Sequence, residues 1–534
     1  MFAAQHIPYT RTNAFSPIVI DYLDSNDRLK QFYSFPPAKN GIAETIELKK
    51  RQPVDRQTLV KVLEEQYTLV QPSESTRLNI TSLLEENTFT ITTAHQPNLF
   101  TGPLYFIYKI LHAIRLADEM NRSYANYHFV PVYYMGSEDA DFAELNHTYI
   151  NGSKLEWKKE QKGAVGKMTV DATLLQLISE MEGQLSIEPH GNEVIELLRK
   201  AYTKNRTIQE ATFELVNGLY GRYGLVVLIP DHPLLKAQMQ KVFEAELFDH
   251  TGFGIVTKTS HKLEEHYEAQ AHAREINLFY LKDDIRERIE KQDEKFVVLN
   301  TGLVFSDTEI KLELAEHPER FSPNVILRGL YQETILPNLA FVGGGGELAY
   351  WLQLKELFDH YNIVFPVLVL RNSFLIIEDK WKQALEKLNL QVADLFIPPD
   401  QLLKRIVTET SANKISLNGN FEKAEALFDQ IQIQAGAVDA TLLNHVSAIK
   451  TKALKTLKEL EKKMYRAEKR KFSAQQNQLQ RIRQTLFPQN GLQERVENFS
   501  SFYAKWGPAF IEDLYDHSPT FRNEFTILTE QGAT

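Results

Sequence analysis

Cysteine is absent from all 534 residues. That excludes disulfides, thiolate nucleophiles and cysteine-based zinc sites, so no zinc is expected, and it fits a cytoplasmic location. Long apolar runs are lacking too. The longest, Ile363 to Leu370, is interrupted by Pro366 and is far too short to cross a bilayer. The first residues, Met1 to Pro8, have neither the basic start nor the apolar core of a signal peptide, so no membrane or export route is expected. Metal-ligand spacing is equally scarce. His261 and Glu265 lie four apart in the Ser260–His272 stretch, but such pairs are usually solvated helix surface, and no metal site is predicted.

What is present is the composition of a globular protein, 43% hydrophobic and 24% charged, with a net charge of −10. At this length one simple core is insufficient, so a large α/β unit with insertions and an appended module is expected. The charge is uneven. Between Lys450 and Arg483 twelve Lys and Arg face three Glu, leaving this stretch at +9 and the remainder at −19. Such a segment can be a nucleic-acid arm or one solvated face of a long helix. Few aromatics for base stacking and a heptad-like pattern favour the helix, so nucleic acid is not expected as a partner.

The most informative stretch is Thr93 to Tyr105. It follows Phe89-Thr90-Ile91-Thr92, which reads as a buried parallel strand, and leads into apolar residues at helical spacing from Phe106 to Ala117. Pro103 suits a first helical turn, with Thr101 as N-cap. A strand, a polar turn with Gly and a helix start make an anion site, here without the lysine of a P-loop. Gly343–Gly346 before Glu347 repeats that logic.

Strands are predicted at 88–94, 129–135, 224–230 and 364–370, and the core is expected to close through Val325-Ile326-Leu327, with Arg328 at a strand end. Helices are predicted at 103–120, 207–220 and 347–360. This alternation predicts a Rossmann-like, doubly wound parallel sheet over residues 1–375, with insertions at about 148–205 and 251–322. Residues 1–87 read as short helices. Beyond 376 strand signals vanish, and a helical coiled-coil arm is expected over 376–490. In a helix at 439–486, Leu442, Val446, Ile449, Leu457, Leu460 and Met464 form a narrow seam that shifts phase near Lys471. Such a seam needs a partner: helices near 377–389 and 421–434, or a second subunit, giving a homodimer. Residues 491–534 read as a helical return segment anchored by Trp506.

In an open parallel sheet, ligands bind beyond the carboxyl ends of the strands. Glu138, Asp139 and His147 follow the 129–135 strand directly. These carboxylates could grip an amine, bind sugar hydroxyls or hold Mg²⁺, or could simply be an acidic helix start. Arg328 and Arg371 could bind carboxylates or form buried ion pairs.

Several segments together resemble the bacillithiol biosynthesis cysteine-adding enzymes, the cysteine ligase (BshC) family. They are Thr101-Gly102-Pro103-Leu104-Tyr105 with Lys109; Val130-Pro131-Val132 followed by Glu138-Asp139, Asp141, Glu144, Asn146 and His147; Asn324 and Arg328 with Gln332-Glu333 and Pro337; Gly344 and Gly346-Glu347-Leu348-Ala349-Tyr350-Trp351; and Arg371, Ser373 and Glu378. They keep one order over about 300 residues, and a coiled-coil segment follows. The resemblance implies a core like that of class I aminoacyl-tRNA synthetases, a dimerising coiled coil, and a ligase that adds cysteine to glucosamine malate to form bacillithiol. No loop like the synthetases' Lys-Met-Ser-Lys-Ser motif is present.

The reading that follows makes Glu138, Asp139 and His147 the catalytic group. His95, Gln96, Asn98, Thr101, Gly102, Arg328, Glu347 and Arg371 would bind substrate, and Gly344, Gly346 and Lys109 the cofactor. ATP or ADP is expected, with Mg²⁺ as its companion, because an amide does not form from a free carboxylate in water without activation. The nucleotide could sit at the His95–Tyr105 turn or beside the basic arm. The rival reading is an RNA-binding protein of synthetase ancestry using the basic coiled coil.

Overall fold

The computed structural model describes residues 1–411 and 416–532. The expectations for 412–415, within the arm, and for 533–534 fall outside those residues. Two compact units emerge, one of residues 1–376 with 491–531 and one of residues 377–490 with the last few. The segment beginning at Gly491 is therefore part of the larger unit rather than a separate piece.

The larger unit is organised by five parallel strands: β1 (Thr88–His95), β2 (His128–Met135), β3 (Val226–Leu228), β4 (Asn338–Gly343) and β5 (Val367–Leu370), in the order β5-β4-β1-β2-β3. That is the doubly wound Rossmann order. The sequence reverses direction between β1 and β4, which opens a crevice at their carboxyl ends. Strand β1 is central and buried on both faces, with Phe89 and Ile91 packed on Ala113, Leu116 and Met120 of helix α1 (Tyr105–Ser123). Its threonines survive burial because their hydroxyls are satisfied: Thr93 donates to Val342 O at 2.8 Å and Thr90 to Asn338 Oδ1 at 3.2 Å.

Three expectations are corrected. Val325-Ile326-Leu327 is not a strand but the start of helix α2 (Val325–Ile335), so Arg328 projects from a helix. Asn324 caps it, accepting from Ile326 N at 2.8 Å, and the closing strand is β4 further on. The apolar run Leu339–Val342, too short to show a period, hid that strand. The predicted 347–360 helix is two, α3 (Gly345–Trp351) and Lys355–His360. Finally, residues 1–87 are not purely helical, and the end of the chain is not either. Phe2–Pro8 pairs antiparallel with Glu524–Glu530, in a three-stranded sheet completed by Phe374–Ile377.

The first insertion holds the hairpin His147–Ile150/Ser153–Glu156 and two helices, Ala172–Leu185 and Gly191–Ala201. The second carries an antiparallel sheet built on Leu278–Lys282, Ile285–Gln292 and Lys295–Val298, with Phe321–Pro323 at its edge.

The smaller unit is helical. Asp379–Lys387 packs against Ser473–Leu486, and Gln478 Nε2 donates to Ala384 O at 3.1 Å. Asn418–Val438 pairs with Leu442–Lys469, with Lys450 bridging to Asp429 at 2.6 Å and Glu425 at 3.3 Å. The expected single 439–486 helix is broken by a 3₁₀ turn at Arg470–Phe472, where the seam changes phase. The paired helices bury one residue, Val446, and leave Leu427 54%, Ile433 74% and Leu460 47% exposed.

Candidate active site

A cavity of about 720 Å³ lies where all five parallel strands end. Strand β1 delivers His95 and Gln96, β2 is followed by Gly136, Glu138 and Asp139, and β3 by Pro230. The Gly344–Gly346 turn follows β4, and Arg371 follows β5. Helix α2 adds Arg328, and the second insertion covers the space with Arg274, Phe279, Arg286 and Arg288. Thus His95, Gln96, Glu138, Asp139, Arg328, Gly344, Gly346, Glu347 and Arg371, from distant parts of the chain, share one cavity.

Glu138 is buried and held by Lys236, a fully buried lysine on the short helix after β3. Lys236 also meets Asp231 Oδ1 at 2.9 Å, and Lys167 meets Asp231 Oδ2 at 2.7 Å. Burial raises the Glu138 pKa, with Asp231 adding to the effect and Lys236 opposing it. Lys236 itself is held above the usual lysine value because the two carboxylates outweigh its burial. Asp139 is freer: Gln96 Nε2 donates to its Oδ2 at 3.1 Å, and the Asp141 N–H to its Oδ1 at 3.0 Å. The pKa of Glu144, an exposed side chain beside it, is raised by partial desolvation and by the charges of Asp139 and Asp141.

His95 packs against the rings of Tyr105 and Phe106, and its buried Nε2 has no protein partner. Burial, with the cations of Lys109 and Arg371, pushes its pKa well below the usual histidine value, so the ring is neutral at physiological pH. It can take or give a hydrogen bond as imidazole but offers no charge.

The glycine turn differs from a phosphate cradle. Gly344 N donates to Glu347 Oε2 at 2.8 Å, so Glu347 caps its own seven-residue helix. Lys109 donates to that oxygen at 2.5 Å and to Ala94 O at 2.5 Å, and is buried behind Glu347 instead of lining the cavity. Arg371 reaches the cavity wall with its terminal nitrogens engaged. Nη1 donates to Asn372 O at 2.9 Å and Ser373 Oγ at 3.1 Å, and Nη2 to Glu494 Oε1 at 2.8 Å. It forms a buried ion pair within the core.

Asn98, Thr101, Gly102 and His147 do not line the cavity. Thr101 is not an N-cap. Phe100 and Thr101 both adopt positive φ, 52° and 72°, and helix α1 begins only at Tyr105. Asn498 Nδ2 fastens this turn by donating to Phe100 O at 2.8 Å and Gly102 O at 2.6 Å. Two strained residues persist there because the buried amide over-determines the turn. His147 sits on the first-insertion hairpin, its ring edge-on to Tyr149 at 5.7 Å and its pKa lowered by burial.

Sequence reasoning missed the insertion arginines, although a signal existed: Arg286 and Arg288 are two apart on a strand and so share a face. It also missed Lys236, which no motif marks, and gave no role to Asp231, although Asp231-His232-Pro233 stands at the carboxyl end of the 224–230 strand. Among the described residues no three His, Asp or Glu side chains gather to hold a metal ion, and no helix is long and apolar enough to cross a membrane.

Residues 2–372 match the family model "Bacillithiol biosynthesis BshC, N-terminal Rossmann-like domain", and residues 374–530 match "Bacillithiol biosynthesis BshC, C-terminal coiled-coil domain". The chain is similar to proteins named "Putative cysteine ligase BshC" over nearly their whole length. The relative from Christiangramia forsetii is 39% identical, covering 98% of each chain. That from Flavobacterium johnsoniae is 40% identical, covering 98% of this chain and 99% of the relative, and that from Cytophaga hutchinsonii is 41% identical, covering 96% of each. Among solved structures, one titled "putative arginyl t-RNA synthetase" from Campylobacter jejuni is 10% identical with a TM-score of 0.20, over 82% of this chain and 98% of that one. A superposition that distant carries no argument.

Proposed function

The chain belongs to the BshC family of bacillithiol biosynthesis, and from that premise we propose that it joins the carboxyl group of cysteine to the amine of glucosamine malate. The observation that carries this reading is the mixed charge of the cavity at the strand ends, where Asp139 and Glu144 face guanidiniums across one space. Carboxylates suit the ammonium of cysteine, and guanidiniums suit the carboxylates of malate. The protein is a ligase.

In the reaction, the C–N bond of the amide forms as the activating group leaves the cysteine carbonyl, and the amine gives up a proton. ATP would supply the activating phosphoryl or adenylyl group, with Mg²⁺ as its companion. The residues present fit such a ligand through arginines rather than through the glycine turn, where the Glu347 carboxylate already occupies the helix start. Asp139, oriented by Gln96, stands ready to take the amine proton. Glu138, fixed by Lys236, positions the ammonium end of a substrate, and neutral His95 offers Nε2 as a hydrogen-bonding group. Holding two reactants in register supplies much of the rate in such a transfer.

The enzyme works in the cytoplasm, where cysteine and ATP are supplied, as a homodimer through residues 376–490. The exposed leucines and isoleucines of the paired helices support that assembly.

The test is product formation from cysteine, glucosamine malate and ATP, read by mass spectrometry with purified protein. Glu138→Gln and Asp139→Asn should each lose on the order of a hundredfold in rate while remaining folded. Wild-type rates in both variants would overturn these roles.

A further inference from the structure

The charges around the cavity do not balance. Among the carboxylates lining it, Glu138 is paired with Lys236 and Glu347 with Lys109. Among the arginines, Arg371 is paired with Glu494. Five lining arginines, at 274, 286, 288, 328 and 495, have no carboxylate within ion-pair distance among the described residues, against two unpaired carboxylates, Asp139 and Glu144. Three of the five, Arg274, Arg288 and Arg495, are exposed, and water can solvate them. Arg286 and Arg328 are different.

The guanidinium of Arg286 lies 4.0 Å from the centre of the Phe279 ring, and its buried Nε has no hydrogen-bond partner. Burial lowers its pKa, which only the distant charges of Asp139 and Glu138 oppose. Arg328 hydrogen-bonds only to neutral groups, Nη2 donating to Tyr350 Oη at 2.6 Å and Nη1 to Gln332 Oε1 at 3.4 Å; burial lowers its pKa, but Tyr350, Tyr134 and the more remote Glu347 charge outweigh that. The rings of Tyr134 and Phe341 lie 5.8 and 5.7 Å from its guanidinium carbon. An aromatic face fixes the plane of a guanidinium and leaves its N–H edges for a ligand. Both guanidiniums are only partly exposed, and a partly desolvated cation with no carboxylate within ion-pair distance gains from an arriving anion.

We propose that Arg286, from the insertion sheet, and Arg328, from helix α2, form a two-sided oxyanion site that takes carboxylates or phosphates of a substrate. This rests on the ligase reading for what the anion belongs to, but not for its existence. It gives Arg286 the anion-binding role expected of Arg371, whose charge Glu494 already neutralises. It also gives the second insertion a task, since closing its sheet over the strand ends is what brings Arg286 into the cavity.

Calorimetric titration of the full chain with malate, and separately with ATP, tests the site in wild type, Arg286→Gln and Arg328→Gln. Each arginine should be worth about tenfold or more in affinity for the anion it holds. Loss confined to malate assigns the site to the acceptor's carboxylates, and loss confined to ATP assigns it to phosphates. Both probes binding all three proteins alike, or neither binding wild type at millimolar concentration, overturns the proposal. Thermal melting without ligand adds a readout that a structural arginine would fail. Arg286→Gln should melt at or above the wild-type temperature, and a drop of several degrees would mark a folding role and overturn the proposal. Product formation separates the two readings. If wild type joins cysteine to glucosamine malate while both variants keep their anion affinity, this site alone is wrong. If no product forms while the variants lose anions, the reaction is wrong and the site stands.

Discussion

At the floor of the cavity every buried charge meets its opposite, whereas beneath the insertion sheet guanidiniums stand without one. Lys236 joins Glu138 and Asp231, Lys109 joins Glu347, and Arg371 joins Glu494. Arg286 and Arg328 rest on aromatic rings and neutral hydrogen bonds. The floor is assembled when the chain folds, so its groups hold fixed positions before any ligand arrives. The cover keeps charges that only a ligand satisfies. Stability rests on the paired floor and anion binding on the unpaired guanidiniums, so substitutions should separate the two.

The largest expected effect is on the floor. Glu494 accepts from Arg371 Nη2, Ser373 Oγ and Phe374 N, and it is fully buried. Glu494→Gln leaves Arg371 as an uncompensated charge and should cost about 3–5 kcal/mol in urea denaturation. A cost below about 1 kcal/mol would erase the contrast with Arg286, whose removal should leave the unliganded protein as stable as before.

A second test concerns a buried carboxylate away from the cavity lining, where burial outweighs the charge of Lys505. Glu497 is buried, accepts from Gly152 N at 3.0 Å, and burial raises its pKa from 4.5 to about 7. A carboxyl group whose pKa is raised by folding contributes most below its unfolded pKa and loses that contribution as pH rises through the folded value. Wild type should therefore lose stability between about pH 4.5 and 8, by up to about 3 kcal/mol. Glu497→Gln should show a flatter profile and be the more stable protein at pH 8. Parallel melting curves across that range would refute the assignment.

The smallest effect on folding is expected in the helical unit. Leu460 is 47% exposed and Leu457 partly so. Changing both to Glu should cost the single chain less than about 1 kcal/mol, because little buried apolar surface is lost. Light scattering should nevertheless report a monomer for this variant and, if residues 376–490 assemble as proposed, a dimer for wild type. An unaltered dimer would show that these residues face solvent in the assembly as well.

How far the site could be read in advance varies by residue. Glu138, Asp139 and Gln96 were visible because they directly follow apolar strands, and the strand ends of an open parallel sheet converge. Thr101 and Asn98 were equally visible and do not line the cavity, because Asn498, almost four hundred residues away, turns the loop inward. Glycine before Glu347 suggested a phosphate turn, yet the neighbouring carboxylate caps it. Arg286 sat in a polar stretch read only as an excursion, since nothing local says over what a small sheet will close.

The order of apolar runs and helical periods by itself determined the parallel core, the helical arm and the phase break near Lys471, because those features arise from spacing along one chain. Tertiary structure alone decided which charges are neutralised. A carboxylate meets a lysine or arginine through the path of the whole backbone, as with Glu494 and Arg371 or Glu138 and Lys236, and the energy of a buried charge depends on that meeting. The pairing left some guanidiniums without partners, and these are the groups available to a ligand.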